Sequence, residues 1–181
     1  MRLPAQSTTA RLLFLAVAAL TAVAMVALFL RVNLTPSVET GLYLRVPEWA
    51  AGNAPAVGDL VYACAPEGPA AALALERDYL RPTATACASG VVPVLKRVVA
   101  VGGQTVRVNS VGLFVDGLEV APAPPVEDSG GRPLRPRYGT WPLEDGALWL
   151  GSDIPNGFDS RYFGPFEGES VRGRARLLVS F

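Results

Sequence analysis

Nineteen consecutive residues without a charge, LLFLAVAALTAVAMVALFL from Leu12 to Leu30, constrain this chain more than anything else in it. In hydrocarbon every backbone N–H and C=O must be satisfied within the segment, so such a run is driven into one α-helix. A helix of that length rises about 28 Å, close to the apolar thickness of a bilayer. Arg2 and Arg11 precede the run with no acid among them, which predicts an N-terminus in the cytoplasm and everything after Arg31 outside. The expected division is a short cytoplasmic N-terminus (1–11), a transmembrane anchor in the lipid bilayer (12–30) and an extracytoplasmic domain (31–181). The alternative is a cleaved signal peptide. The run is longer than an ordinary signal-peptide core, and the RVNLTPS that follows has no small-x-small site. Ala22 and Ala24 form such a pair inside the run, so cleavage stays open.

Composition removes several classes of function. The formal net charge is zero, and no basic run is interleaved with aromatics, so no nucleic-acid partner is expected. Histidine is absent, which eliminates Ser-His-Asp and Cys-His chemistry and the usual zinc sites. Hydrolysis would have to run on Ser, Thr or Cys with Lys, on paired carboxylates, or on an oxygen-bound metal. No cofactor and no metal are called for. Cys64 and Cys87 are the two cysteines, and an oxidising compartment makes them a candidate disulfide. Two buried thiols are the alternative.

Beyond the anchor the sequence reads as short strands and turns. GLYLRV (41–46), GDLVYACA (58–65) and VPVLKRVVAV (92–101) are β-branched or aromatic runs bounded by Gly or Pro. In TVRVNSVGLFVDGLEV, Asp116-Gly117 signals a type I′ hairpin turn. ALWLG and SVRGRARLLVSF add two more strands. One helix is expected over PAAALALERDYL, with Pro69 at its first turn and Pro82 soon after its end. The stretch 121–139, rich in Pro and Gly, is expected to be a mobile connection. The domain is therefore mainly β with one small inserted helix.

Lys96 is the only lysine beside fifteen arginines. A solvated charge could be arginine here as elsewhere, but guanidinium does not release its proton, whereas a desolvated ammonium does. Strand alternation puts Val92, Val94, Val98 and Ala100 on the face of Lys96, which disfavours its charged form and makes it a candidate general base. The competing reading is a lysine at a strand end that snorkels to water or pairs with an acid. Ser37 lies seven residues past Leu30, within about 25 Å of the bilayer edge even if fully extended. That suits a nucleophile acting on a membrane-bound substrate, although TPS by itself also reads as an ordinary turn.

These stretches carry a family resemblance. Ser37 in TPSVETGLY, then GDLV, LKRVVAVGG and the late GSDIPNGFDSRYFGP, in that order, resemble the type I signal peptidase superfamily. NLTPSVETGLYL, PVLKRVVAVGG, FDSRYFGPF and the Cys-bracketed helix ending LERDYL are most similar to its conjugative-transfer branch, the TraF-type pilin-processing peptidases. The resemblance spans nearly all of 31–181. It implies a signal-peptidase-like antiparallel β domain and a Ser/Lys peptidase in which Ser37 attacks and Lys96 is the base. It further implies that Thr35 supplies an oxyanion donor beside the Ser37 N–H, that Asp159 is needed for activity, and that Arg161 supports it. The sequence departs from the signal peptidase pattern in three places: Val38 stands where Met is usual, Gly151-Ser152-Asp153 where Gly-Asp-Asn is common, and Gly157 where a lysine-orienting serine is often found.

The implied protein is a serine endopeptidase of the bacterial inner membrane, acting on the periplasmic side on a membrane-bound pilin or preprotein substrate. Pilin processing with hydrolysis or cyclisation, general leader-peptide removal, and an inactive membrane-anchored scaffold are the readings in competition. A soluble autoproteolytic repressor is disfavoured by the anchor.

Overall fold

The computed structural model describes residues 8–47 and 52–181. Arg2 and most of the expected cytoplasmic N-terminus lie outside the described residues. Helix α1 (Thr8–Ala27) is apolar along its length and long enough to cross a membrane. Within the described residues it begins a turn before the apolar run. It stops three residues before the end of that run because Leu30 is recruited into a strand, paired with Leu44.

The strands are β1 (Leu30–Asn33), β2 (Gly41–Val46), β3 (Leu60–Ala63), β4 (Val94–Val101), β5 (Thr105–Val108), β6 (Gly112–Val115), β7 (Leu118–Pro122), β8 (Gly139–Pro142), β9 (Leu148–Gly151) and β10 (Val171–Ser180). Helix α2 (Pro69–Glu76) lies between β3 and β4, and a single-turn helix α3 (Ser160–Phe163) follows β9. Six strands form one sheet in the order β1-β2-β10-β3-β4-β9, and four form a second in the order β7-β6-β5-β8. The named pairings are all antiparallel. The mainly β, antiparallel expectation therefore holds. Strands β1 and β8 and helix α3 are not among the elements the sequence predicts, and β1 takes in Leu30 from the end of the expected anchor.

Alternation along β4 is carried through: Val94, Lys96, Val98 and Ala100 are buried and the residues between them are half-exposed. A bulge then redirects the strand. Val98 lies opposite Leu150, but Ala100 lies opposite Trp149, so one extra residue moves β4 to the other face of β9. Val98 and Leu150 belong to a core cluster with Val61, Val94, Phe163 and Phe166. Ala100 and Trp149 belong to a second, with Val106, Val108 and Leu113. One strand pair thus serves two cores. The β6–β7 turn has Asp116 at φ 50° and Gly117 at φ 86°, the two left-handed residues a type I′ turn needs.

Helix α2 is shorter than its pattern. Asp78 enters the left-handed region at φ 56°, and the chain turns so that Arg77 and Tyr79 both reach Asp128. The Pro-rich stretch 121–139 is not a free connection, contrary to expectation. Asp128 accepts from Tyr79 and from Arg132, Leu134 is buried, and Tyr162 Oη donates to the Pro125 carbonyl at 2.8 Å. The Tyr79 hydroxyl, its largest influence, and the Arg132 and Gly130 donors hold the Asp128 carboxyl below the usual carboxylate range. Composition marked this stretch as a loop, but side chains 50 residues earlier in the chain pin it.

Cys64 and Cys87 are bridged, with Cα atoms 5.4 Å apart, and the loop they close contains α2. Constraining such a loop in the unfolded chain is worth about 3 kcal/mol. Cys64→Ser/Cys87→Ser should lower the unfolding free energy by roughly that amount in urea titrations. Asp128→Ala should leave the midpoint less affected but expose the buried Leu134 to chymotrypsin, which then cuts after it several times faster. An unchanged cleavage rate would show that the loop is held by other contacts.

Candidate active site

Lys96 is the third residue of the eight-residue β4, and its side chain is 5 % exposed. The reading of a snorkelling strand-end lysine therefore fails. Val61 faces it on β3, and because Arg97 pairs with Gly151, the next residue after β9, Ser152, falls across from Lys96 on the other side. Its Nζ donates to Ser152 Oγ at 2.8 Å. Burial pulls its pKa from 10.5 to about 8, against the opposing pull of Asp159, with Arg161 adding to the fall and Asp153 opposing it. At pH 7 a group with that pKa is about one-tenth neutral, against well under a thousandth for a solvated lysine.

Ser37 lies in the loop between β1 and β2, and Asn33 shapes that loop. Asn33 is buried at the end of β1, and its Nδ2 donates to the carbonyls of Thr35 (2.9 Å), Val38 (3.3 Å) and Glu39 (3.1 Å). Its Oδ1 accepts from the Thr35 N–H at 3.2 Å and the Thr35 hydroxyl at 2.7 Å. Ser37 Oγ is 3.4 Å from Thr35 Oγ1. Since the Thr35 proton is given to Asn33, Thr35 is the acceptor in that pair.

The segment after β9 links the two candidates. Ser152 receives Lys96, and the Asp153 N–H donates to the Ser37 carbonyl at 2.8 Å. Asp153 is itself gripped by Arg97, Nε and Nη2 each at 2.7 Å. Neighbouring residues of β4 thus hold neighbouring residues 152 and 153, and residue 153 holds the Ser37 loop. Among the described residues no hydrogen bond joins Ser37 to Lys96 directly.

Asp159 and Arg161 lie behind this segment at 0 % and 3 % exposure. Arg161 offers Nη2 to Oδ2 at 2.6 Å and Nε to Oδ1 at 2.8 Å. Asp159 also caps α3, accepting from the Arg161 N–H, and accepts from the Ser152 N–H at 3.0 Å. Arg161 spends its remaining donors on the carbonyls of Pro155 and Gly157. Asp159 pulls the Lys96 pKa up and Arg161 pulls it down. Paired with Arg161, Asp159 leaves desolvation dominant.

Thr35 and Ser37 are thus adjacent, and Lys96 and Asp159 both bond Ser152, with Arg161 paired to Asp159. Sequence reasoning missed Ser152 and Asn33. Ser152 is one of nine serines, and only the β4–β9 register singles it out. Asn33 becomes visible once LRVN is read as a strand. A cleft of about 560 Å³ lined by Pro69, Leu73, Arg77, Arg135 and Tyr162 lies between α2 and the 121–139 loop, and neither Ser37 nor Lys96 lines it.

An antiparallel β domain behind an apolar N-terminal helix, with a dried lysine tied to a serine-bearing loop and no histidine, is the setting of a histidine-free serine peptidase. The profile of the family described as signal peptidase, peptidase S26, matches residues 5–180, so the chain belongs to that family, and membership makes it a serine peptidase. The "Probable conjugal transfer protein TraF" of Sinorhizobium fredii is 39 % identical over 152 residues, covering 83 % of this chain and 77 % of that protein. The "Conjugal transfer protein TraF" of Agrobacterium tumefaciens is 38 % identical over 167 residues, covering 91 % of this chain and 90 % of that protein. A crystal structure of a signal peptidase I from Enterococcus faecalis aligns with a TM-score of 0.38 at 19 % identity, covering 70 % of this chain and 98 % of that one.

The single lysine makes the electrostatics directly measurable. Its NMR titration should have a midpoint near 8. Because the unfolded chain binds this proton more tightly, stability should rise with pH between about 8 and 10.5, by roughly 3 kcal/mol in all. Lys96→Met should accordingly be more stable than the parent at pH 7 by about 1–3 kcal/mol in urea unfolding. A midpoint near 10.5 would mean that the ammonium is hydrated after all.

Proposed function

We propose that this chain is a membrane-anchored serine endopeptidase in which Ser37 is the nucleophile and Lys96 the general base, acting on a membrane-tethered, pilin-like precursor in conjugative transfer. The observation that carries the reading is the buried Lys96, tied through Ser152 and Asp153 to the loop of Ser37. Ser37 Oγ attacks the scissile carbonyl carbon while its proton passes to neutral Lys96 Nζ. The oxyanion takes the Ser37 N–H, which has no partner among the described residues, and the Thr35 hydroxyl once it turns from Asn33. Lys96 then returns the proton to the leaving amine, and an ester to Ser37 remains. Water resolves that ester to a linear product, and the substrate's own amine would resolve it to a cyclic one. Asp159 and Arg161 support the site by anchoring the Ser152 segment.

Supporting the substrate class are the relatives named as conjugal transfer proteins, the family, and the apolar α1. Ser37 follows Ala27 by ten residues, so the nucleophile stays within about 35 Å of the helix end. The chain is read with α1 in the bacterial inner membrane and residues 31–181 on the periplasmic side.

Ser37→Ala and Lys96→Ala, each in the full chain in inner-membrane vesicles, should lower cleavage of a conjugative pilin precursor by at least about a thousandfold. Lys96→Arg should be equally inactive. The parent's rate should climb with pH through about 8, as the base loses its proton. Cleavage of ordinary exported preproteins at the same rate would favour a general signal peptidase. DNA transfer undiminished by both alanine variants would favour a scaffold.

A further inference from the structure

We propose that Ser152 is the positioning residue for Lys96, and that residue 157 is glycine because the Ser152 side chain occupies the space a side chain there would need. The inference rests on the reading of Lys96 as the base. Ser152 Oγ is the side-chain atom that receives Nζ, at 2.8 Å. Ser152 is placed twice over, by the β4–β9 register and by its N–H on the buried Asp159 carboxylate at 3.0 Å. The other half of the argument is steric. A Cβ on Gly157 would lie 2.0 Å from Ser152 Oγ and 2.2 Å from Ser152 Cβ, so the two positions claim one volume. Gly157 is buried, and its φ is outside the left-handed region, so space rather than backbone conformation demands the glycine.

A neutral amine carries two N–H donors and one lone pair. Donating one N–H to Ser152 stops rotation about Cε–Nζ and fixes where the lone pair points. The proton moves from Ser37 Oγ to Lys96 Nζ, and Ser152 gains and loses nothing. That is why it is a positioning residue and not a second base.

The test uses the full chain, with the pilin precursor cleavage in inner-membrane vesicles described above and the Lys96 NMR titration in detergent as readouts. Ser152→Ala deletes one oxygen, and its fold is checked by near-UV circular dichroism. It should lower the single-turnover cleavage rate about 10- to 100-fold and move the Lys96 midpoint by at least half a unit, since an ammonium loses its acceptor. Ser152→Gly should be equally slow. Gly157→Ser added to Ser152→Gly should recover most of the rate by supplying the hydroxyl from the opposite position, whereas Gly157→Ser alone should be destabilised by the overlap. Parent-like rate and midpoint in Ser152→Ala would overturn the proposal, as would a folded double variant no faster than Ser152→Gly. Lys96→Ala separates the two ideas. If it stays active the dyad itself fails, and if it is inactive while Ser152→Ala is not, only the role of Ser152 fails.

Discussion

Asp159 and Arg161 form a buried ion pair on which the candidate site is built. Taking both charges out of water costs several kcal/mol each unless every donor and acceptor is satisfied. Here the carboxylate receives the guanidinium fork, the Arg161 N–H and the Ser152 N–H, and the guanidinium also closes onto the carbonyls of Pro155 and Gly157. The pair therefore fixes the backbone from 152 to 161 as one unit. Ser152 is part of that unit, and through it the ends of Lys96 and of the Ser37 loop are located.

The position of Lys96 sets stability against chemistry. In the same strand place an apolar residue would pack between Val94 and Val98 without a charge to dehydrate. A lysine there is strained towards its neutral form, and the stabilisation forgone is roughly what the downward pKa shift represents. The compensation is an amine that is partly neutral near pH 7, in a chain without histidine. Arg161 lets a carboxylate stand close by without cancelling that shift, which explains why the acid and the arginine come as a pair.

The rest of the molecule keeps this arrangement still. The bulge at Val98–Ala100 lets β4 anchor in two cores, so the strand that carries Lys96 is held on both sides of the site. The disulfide ties the excursion containing α2 back to the end of β3, and Asp128 ties the Pro-rich loop to that excursion. Tyr162, next to Arg161, donates to the Pro125 carbonyl, so the loop also bears on the residues behind Ser152.

Local chemistry is what made parts of this readable in the sequence. An apolar run of nineteen residues forces a helix, Asp116-Gly117 forces a turn, and period-two valines put a lone lysine on an apolar strand face. Ordered motifs around Ser37, Lys96 and Asp159 pointed to the family. Strands β1 and β8 were not readable, because four-residue segments gain their hydrogen bonds from partners elsewhere in the chain. The Pro-rich loop misled for the same reason, since Arg77 and Tyr79 hold it from about 50 residues away. Ser152 is the sharpest case. Composition makes it one serine among nine, and only the pairing of β4 with β9 and the empty space at Gly157 put its hydroxyl on Lys96. The sequence by itself determined which residues could do chemistry and which face of its strand the lysine shares with valines, because side-chain direction follows strand period. Tertiary structure alone decided what the lysine touches, because register and shared volume are properties of two segments at once.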